Sequence, residues 1–228
     1  MIGARWSLFL LATVTALASC GRQDVPPAAP RPLVLVAIGA SDAVGIGASD
    51  PARTGWVPQV HQQMPAGTQL RNLGQPGARI ADAIVSQLPV ALAASPDYVL
   101  IWLAVNDFLA GTPLSAYERD LDFLLRSLSE GTRAQVFIAT IPHLGALPAL
   151  AGRDQQQLAR RVEEWNGVIA RVAAANGAVV VDLARAWRDL AFSPDYVSAD
   201  GFHPSDAGHR RIAELFWEAM GAPAPSAR

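Results

Sequence analysis

Leu33-Val34-Leu35-Val36-Ala37-Ile38-Gly39-Ala40-Ser41-Asp42-Ala43-Val44-Gly45 is the stretch that decides the fold. It opens with six consecutive apolar residues, mostly β-branched or leucine, and shows no polar alternation. A run that short and that apolar predicts a strand buried on both faces of a parallel sheet. The strand ends at Gly39, and Ser41 follows in a glycine-flanked turn. In open α/β sheets ligands bind at the carboxyl ends of the strands, where the chain reverses and leaves a crevice. Read from this stretch alone, Ser41 serves equally as a nucleophile and as a helix N-cap.

Outward from it, the same pattern repeats. Thr68–Leu73 predicts an outer strand, Tyr98–Leu103 and Val136–Thr140 further buried ones, and Ala178–Asp182 a fifth strand. Between them, Thr54–Met64 predicts a short helix, and a second runs from Ala78 through Ile80, Ile84 and Leu88 until Pro89 interrupts it. Tyr117, Leu121, Leu124 and Leu128 mark an amphipathic helix over Pro113–Ser129. Leu158, Val162, Trp165, Ile169 and Val172 mark another, closed at Asn176-Gly177. Ser205 caps a last helix with Ile212, Leu215, Phe216 and Ala219 inward. Alternating strands and helices imply one α/β domain, a parallel five-stranded sheet covered on both faces as a three-layer α/β/α sandwich.

Composition narrows the chemistry. A net charge of −2 over 228 residues offers no basic field for nucleic acid. All 18 basic residues are arginine. A Ser-Lys dyad, a Schiff-base enzyme and a Walker lysine are therefore excluded. Cys20 is the one cysteine, which leaves no internal disulfide, thiolate metal site or cysteine nucleophile in the domain. The candidate bases are His61, His143, His203, His209 and the carboxylates.

The amino terminus reads as an address. A short positive start, an apolar stretch from Trp6 to Ala18 and Leu17-Ala18-Ser19-Cys20-Gly21 resemble a bacterial lipoprotein signal with its lipobox. That resemblance implies cleavage of residues 1–19 and lipid attachment at Cys20; an ordinary secretory signal is the alternative. Residues 20–32 form a proline-rich tether unable to build a core. The domain is expected over 33–222, with a tail at 223–228. The expected location is the cell envelope, and Gly21 resembles the residue of outer-membrane lipoproteins where the source has two membranes.

Polar clusters stand at the strand ends. Gly39-x-Ser41-x-x-x-Gly45, Asn72-x-Gly74, Asn106-Asp107 and Asp200-x-x-His203-Pro204 together resemble the four blocks of the GDSL or SGNH hydrolases, in the family's order from Leu33 to Met220. The resemblance implies a flavodoxin-like fold and serine-dependent ester hydrolysis without metal or organic cofactor. It implies Ser41 as nucleophile, His203 as general base and Asp200 orienting the imidazole. The Ser41 and Gly74 N–H groups and the Asn106 amide would form the oxyanion hole. The chain departs from the family pattern at Ala40, where an acid is usual, at Asp42, where an apolar residue is usual, and at Ala104, where glycine precedes the Asn-Asp block.

The chemistry needs these residue types. A serine hydroxyl becomes nucleophilic only when a base takes its proton, and the imidazole needs an acceptor on its other nitrogen. Converging donors must then hold the oxyanion, each contributing about 10²–10³ in rate. His143, near a strand end, is the rival base; His209 reads as a surface or packing residue and His61 has no role. Asn106 reads alternatively as a cap, and Asp107 as a loop-holding residue. Trp102, Trp165, Trp187 and Trp217 read as packing aromatics. Val44-Gly45-Ile46-Gly47 lacks the third glycine of a dinucleotide turn, and Ala43 breaks the Gly-x-Ser-x-Gly elbow. The loop Pro142–Gly152 is apolar enough to line an acyl or alcohol pocket. The expected substrate is a small ester or an acylated glycan or lipid. The alternatives are an acyltransferase or polysaccharide deacetylase on the same triad, or a non-catalytic binding lipoprotein. The sequence leaves the oligomeric state open.

Overall fold

The structure, a computed structural model, describes residues 31–186 and 194–221. The leader, Cys20, the tether through Pro30, Trp187 and the tail at 223–228 lie outside the described residues.

In chain order the elements are β1 (Val34–Gly39), α1 (Ser41–Val44), α2 (Pro51–Thr54), α3 (Trp56–Gln63), β2 (Gln69–Asn72), α4 (Ile80–Ser86) and α5 (Leu88–Ala93). They continue as β3 (Tyr98–Trp102), α6 (Val105–Ala110), α7 (Leu114–Gly131), β4 (Gln135–Ala139), α8 (Gln155–Ala175), β5 (Val179–Val181), α9 (Leu183–Ala186) and α10 (Asp206–Ala219). All strand pairs are parallel, in the order β2-β1-β3-β4-β5. The chain leaves β1 for β2 on one side and returns to β3 on the other. The switch point therefore falls at the carboxyl ends of β1 and β3, where a crevice opens.

Side-chain alternation divides the core. Val34, Val36, Ile38, Val99, Ile101, Val136 and Ile138 pack in one apolar cluster with residues of α4, α5, α7 and α8. Leu35, Ala37, Leu100, Trp102 and Phe137 pack in the other, with α3 and α10. There Trp56 stacks on Phe216 with ring centroids 4.5 Å apart. On the first face Trp165 meets Phe108 and Tyr117 at 5.5 and 4.6 Å. Every residue of β1 is buried, so its unbroken apolar run is what a central strand between two helical layers requires.

Local differences from expectation have local causes. The helix expected over Thr54–Met64 is split at Gly55, whose backbone is extended and whose missing side chain admits the Pro51 carbonyl. Pro89 does not end a helix but sits in the first turn of α5, where its absent N–H costs nothing. The break falls earlier, at Gln87. α8 closes with Gly177 at φ +69° and the Ala178 N–H returning to the Ala173 carbonyl, a Schellman closure. Pro142–Gly152 carries two 3-10 turns, and its Leu144, Leu147 and Leu150 are buried in the core. His143, Leu144 and Gly145 nevertheless line a cavity of about 550 Å³ between α8 and β5.

Candidate active site

Sheet register assembles one side of the site. Gly39 pairs with Trp102 and Ala37 with Asn72, so Ser41, Gly74 and Ala104 each stand two residues beyond a paired position, at the same end of three neighbouring strands. The Gln75 N–H donates to the Gly39 carbonyl at 3.1 Å and fixes the return from β2 beside the serine turn. Ser41 is the first residue of α1, with Ala40 as N-cap and no side-chain capping bond. The capping alternative for Ser41 therefore does not hold. As a first-turn residue, Ser41 keeps an N–H with no intrahelical acceptor.

The other side arrives on the loop before α10. The Ser41 hydroxyl lies 3.0 Å from His203 Nε2, and His203 Nδ1 lies 2.6 Å from Asp200 Oδ2. Asp200 Oδ1 accepts from the Ser198 hydroxyl (2.8 Å) and the N–H groups of Phe202 (2.8 Å) and His203 (2.9 Å). Desolvation works against the Asp200 charge, but the bonds from the His203 ring, the two N–H groups and Ser198 outweigh it. They hold the carboxyl well below the usual carboxylate range. An ionised Asp200 only accepts, so the neutral His203 carries its hydrogen on Nδ1 and leaves Nε2 to accept from Ser41.

The remaining predicted donors are placed by other contacts. Asn106 stands in α6, where its amide donates to the Ala78 carbonyl at 2.9 Å; the second amide hydrogen is not used by that bond. Asn106 is thus no cap. The Gly74 N–H is held by Asn72 Oδ1 at 3.1 Å, while the Asn72 amide donates to the Ala43 carbonyl at 2.6 Å. An oxyanion there would share or displace the Asn72 bond. A Cβ at Gly74 would lie 2.8 Å from Ala43 Cβ and 3.0 Å from the Ala40 oxygen. This glycine answers to the packing of two strand ends. Ala104 takes φ +110°, a conformation L-residues rarely adopt.

The rival bases have other duties. His209 is fully buried, not at the surface, accepting from the Trp56 N–H and donating to the Ile46 carbonyl; burial lowers its pKa. His61 bonds the Thr68 carbonyl. His143 borders the β4–β5 cavity, with Nδ1 buried and unpaired among the described residues. Asp107 is buried, accepting from the Ile80 N–H and the Thr112 hydroxyl, and burial raises its carboxyl pKa.

Three positioning groups escaped the sequence reading. Buried Gln87 donates to the Gly39 carbonyl at 3.0 Å and accepts from the Gly39 N–H at 2.9 Å, completing the ladder where β2 turns away. Gly47, at φ +94°, lies so close to the histidine loop that a Cβ would overlap the Pro204 carbonyl and come within 3.0 Å of His203 Cβ. Asp206 accepts from the Ser49 N–H and the Thr54 hydroxyl, tying α10 to the segment after α1. Gly47 had a visible signal, a glycine pair spaced by Ile46; Gln87 and Asp206 had none.

Among the described residues no group of three His, Cys, Asp or Glu is placed to hold a metal ion. No described helix is long and apolar enough to cross a membrane.

Residues 37–211 match the model of the GDSL-like lipase/acylhydrolase family. No curated protein matches the chain. Among solved structures, an acetylxylan esterase from Geobacillus stearothermophilus superposes with a TM-score of 0.71 at 22% identity, covering 86% of this chain and 97% of its own. An α/β hydrolase from the metagenome of Lake Arreo, Spain, gives 0.68 at 23% identity over 83% and 95%. The esterase EstA from a Pseudoalteromonas species gives 0.65 at 19% identity over 82% and 96%. At these identities the superpositions speak for the shared fold.

Proposed function

From the premise that the chain belongs to the GDSL-like lipase/acylhydrolase family, and so is an ester-bond hydrolase, we propose that it cleaves small carboxylic esters through an acyl-enzyme on Ser41. His203 takes the Ser41 proton as the hydroxyl attacks the ester carbonyl, and passes it to the departing alcohol. Asp200 holds the imidazole and stabilises the imidazolium. The Ser41 N–H, the Gly74 N–H and the Asn106 amide receive the oxyanion. Water, deprotonated by His203, then releases the acid and restores Ser41. The observation that carries this reading is the unbroken line from the Ser41 hydroxyl through His203 to Asp200, at 3.0 and 2.6 Å.

An acetylated glycan is a second reading of the substrate, favoured by the likeness to an acetylxylan esterase. In both readings the enzyme is lipid-anchored in the cell envelope through Cys20; incorporation of labelled fatty acid, lost in Cys20→Ala, tests that part. The chemistry is tested with Ser41→Ala. Hydrolysis of p-nitrophenyl acetate and labelling by a fluorophosphonate probe should both disappear, a loss of about 10³-fold or more in kcat, with an unchanged melting temperature. Full turnover by the variant would overturn the assignment.

A further inference from the structure

Both ring nitrogens of the fully buried His209 are bonded to backbone groups of the segment that follows the nucleophile. The Trp56 N–H, 3.3 Å from Nδ1, can only donate. Nδ1 must therefore accept, which puts the hydrogen of the neutral ring on Nε2 and makes it the donor to the Ile46 carbonyl at 3.1 Å. Trp56 opens α3, so its N–H has no acceptor within that helix, and the ring supplies one. The ring itself is mounted on α10, whose Ile212, Ala213 and Phe216 are buried in the core.

Ile46 is the residue that closes the nucleophile turn. α1 is one turn of four residues, too short to persist by itself. It ends in a Schellman closure. Gly45 takes φ +92°, its N–H returns to the Asp42 carbonyl at 3.1 Å, and the Ile46 N–H returns to the Ser41 carbonyl at 3.0 Å. One bond thus leads from Ile46 to the backbone of Ser41, and another from Ile46 to His209. The Ile46 carbonyl also begins the peptide link to Gly47, which has no room for a side chain beside the Pro204 carbonyl and the His203 Cβ. A bond that fixes this link steadies the serine turn on one side and the imidazole loop on the other. The two ring bonds therefore do different work: the one to Trp56 caps a helix, and the one to Ile46 leads into the site.

We propose that His209 is a positioning residue for the Ser41 reaction: its Nε2–H bond to the Ile46 carbonyl locks the turn that aims the Ser41 hydroxyl at His203. The inference rests on the Ser41 hydrolase reading and adds to it a residue that touches no reacting atom.

Two variants of similar shape separate the two bonds. His209→Asn puts an amide oxygen where Nδ1 accepts from Trp56 and loses the reach to Ile46. His209→Gln puts an amide N–H where Nε2 donates to Ile46. The readouts are the rate constant for acylation of Ser41 by p-nitrophenyl acetate, the ester concentration at half saturation and the melting temperature. Kinetics are measured well below both melting temperatures, so that lost stability alone leaves acylation untouched. The Asn variant should acylate about tenfold or more slowly, with half saturation moved less than about twofold. The Gln variant should stay within about threefold of the native rate. A packing role lowers both melting temperatures without this split, so acylation no slower in the Asn than in the Gln variant overturns this inference alone. The native chain decides the matter where neither variant folds. Nitrogen NMR should find the His209 hydrogen on Nε2, and phosphonylation of Ser41 by the fluorophosphonate probe should shift that nitrogen's resonance. A hydrogen on Nδ1, or a resonance indifferent to phosphonylation, overturns the inference. A native chain that does not cleave p-nitrophenyl acetate overturns the hydrolase reading, and this inference with it.

Discussion

The turn that carries Ser41 and the loop that carries His203 are held by opposite means. The serine turn hangs from the fully buried β1. Its last residue, Gly39, is gripped by β3, by the Gln75 N–H and by both ends of the Gln87 amide. The histidine loop belongs to no sheet of named strands. It is closed by an antiparallel bridge between Val197 and Pro204, by the Ser198 N–H on the His203 carbonyl, and by the three donors converging on Asp200 Oδ1. The serine side thus inherits its position from the core, and the histidine side builds its own from a short polar closure. A site made of one inherited and one self-built half is most vulnerable where the halves touch.

The largest expected effect lies at that contact. Gly47→Ala puts a Cβ into the Pro204 carbonyl and against His203, on a backbone with φ +94°. It should cost about 2–4 kcal/mol of stability. By moving the imidazole, it should also lower kcat about 100-fold with a smaller change in KM. Denaturant titration and steady-state kinetics on one preparation check both. Native-like kcat would mean that the histidine loop does not depend on this approach.

Gln87→Leu probes the inherited half. It strips the Gly39 N–H and the Gln87 bond to its carbonyl from a buried site, which should cost about 2–3 kcal/mol. Its effect on kcat should be milder than that of Gly47→Ala, because the sheet still holds β1. The smallest effect has the opposite sign. Ala104→Gly relieves a residue at φ +110° and should raise stability by about 1 kcal/mol, read as a higher melting temperature. No gain would show that the strand-end geometry does not strain Ala104.

The two halves also differed in how far sequence revealed them. The serine side was legible from physics: an apolar run without alternation must be a buried strand, and its end must open on a crevice. The flavodoxin-like fold is what the resemblance of the blocks implies, and the strand order itself comes from the structure. The histidine side was legible only as a motif, because nothing in Asp200-Gly201-Phe202-His203 states that Ser198 and two N–H groups will fasten the carboxylate. The place of His209 in the last helix predicts a surface or packing role, and the fold gives it the second, burying it completely between Trp56 and Ile46. Gln87 stayed hidden because its partner is a backbone group 48 positions away, and no local pattern records such a pairing. Gly74 stands in the sequence only as part of the Asn-x-Gly block, and the fold gives its missing side chain a reason, the crowding of Ala43 and Ala40.

The hydroxyl–imidazole bond joins positions 162 apart, and the segment bearing the imidazole is docked by the last helix through Asp206 and His209. Turnover therefore reports on the completion of folding, beyond formation of the sheet. During refolding, tryptophan burial and helical signal should return before ester cleavage does, and a chain shortened ahead of α10 should remain catalytically silent however much of its central layer has formed.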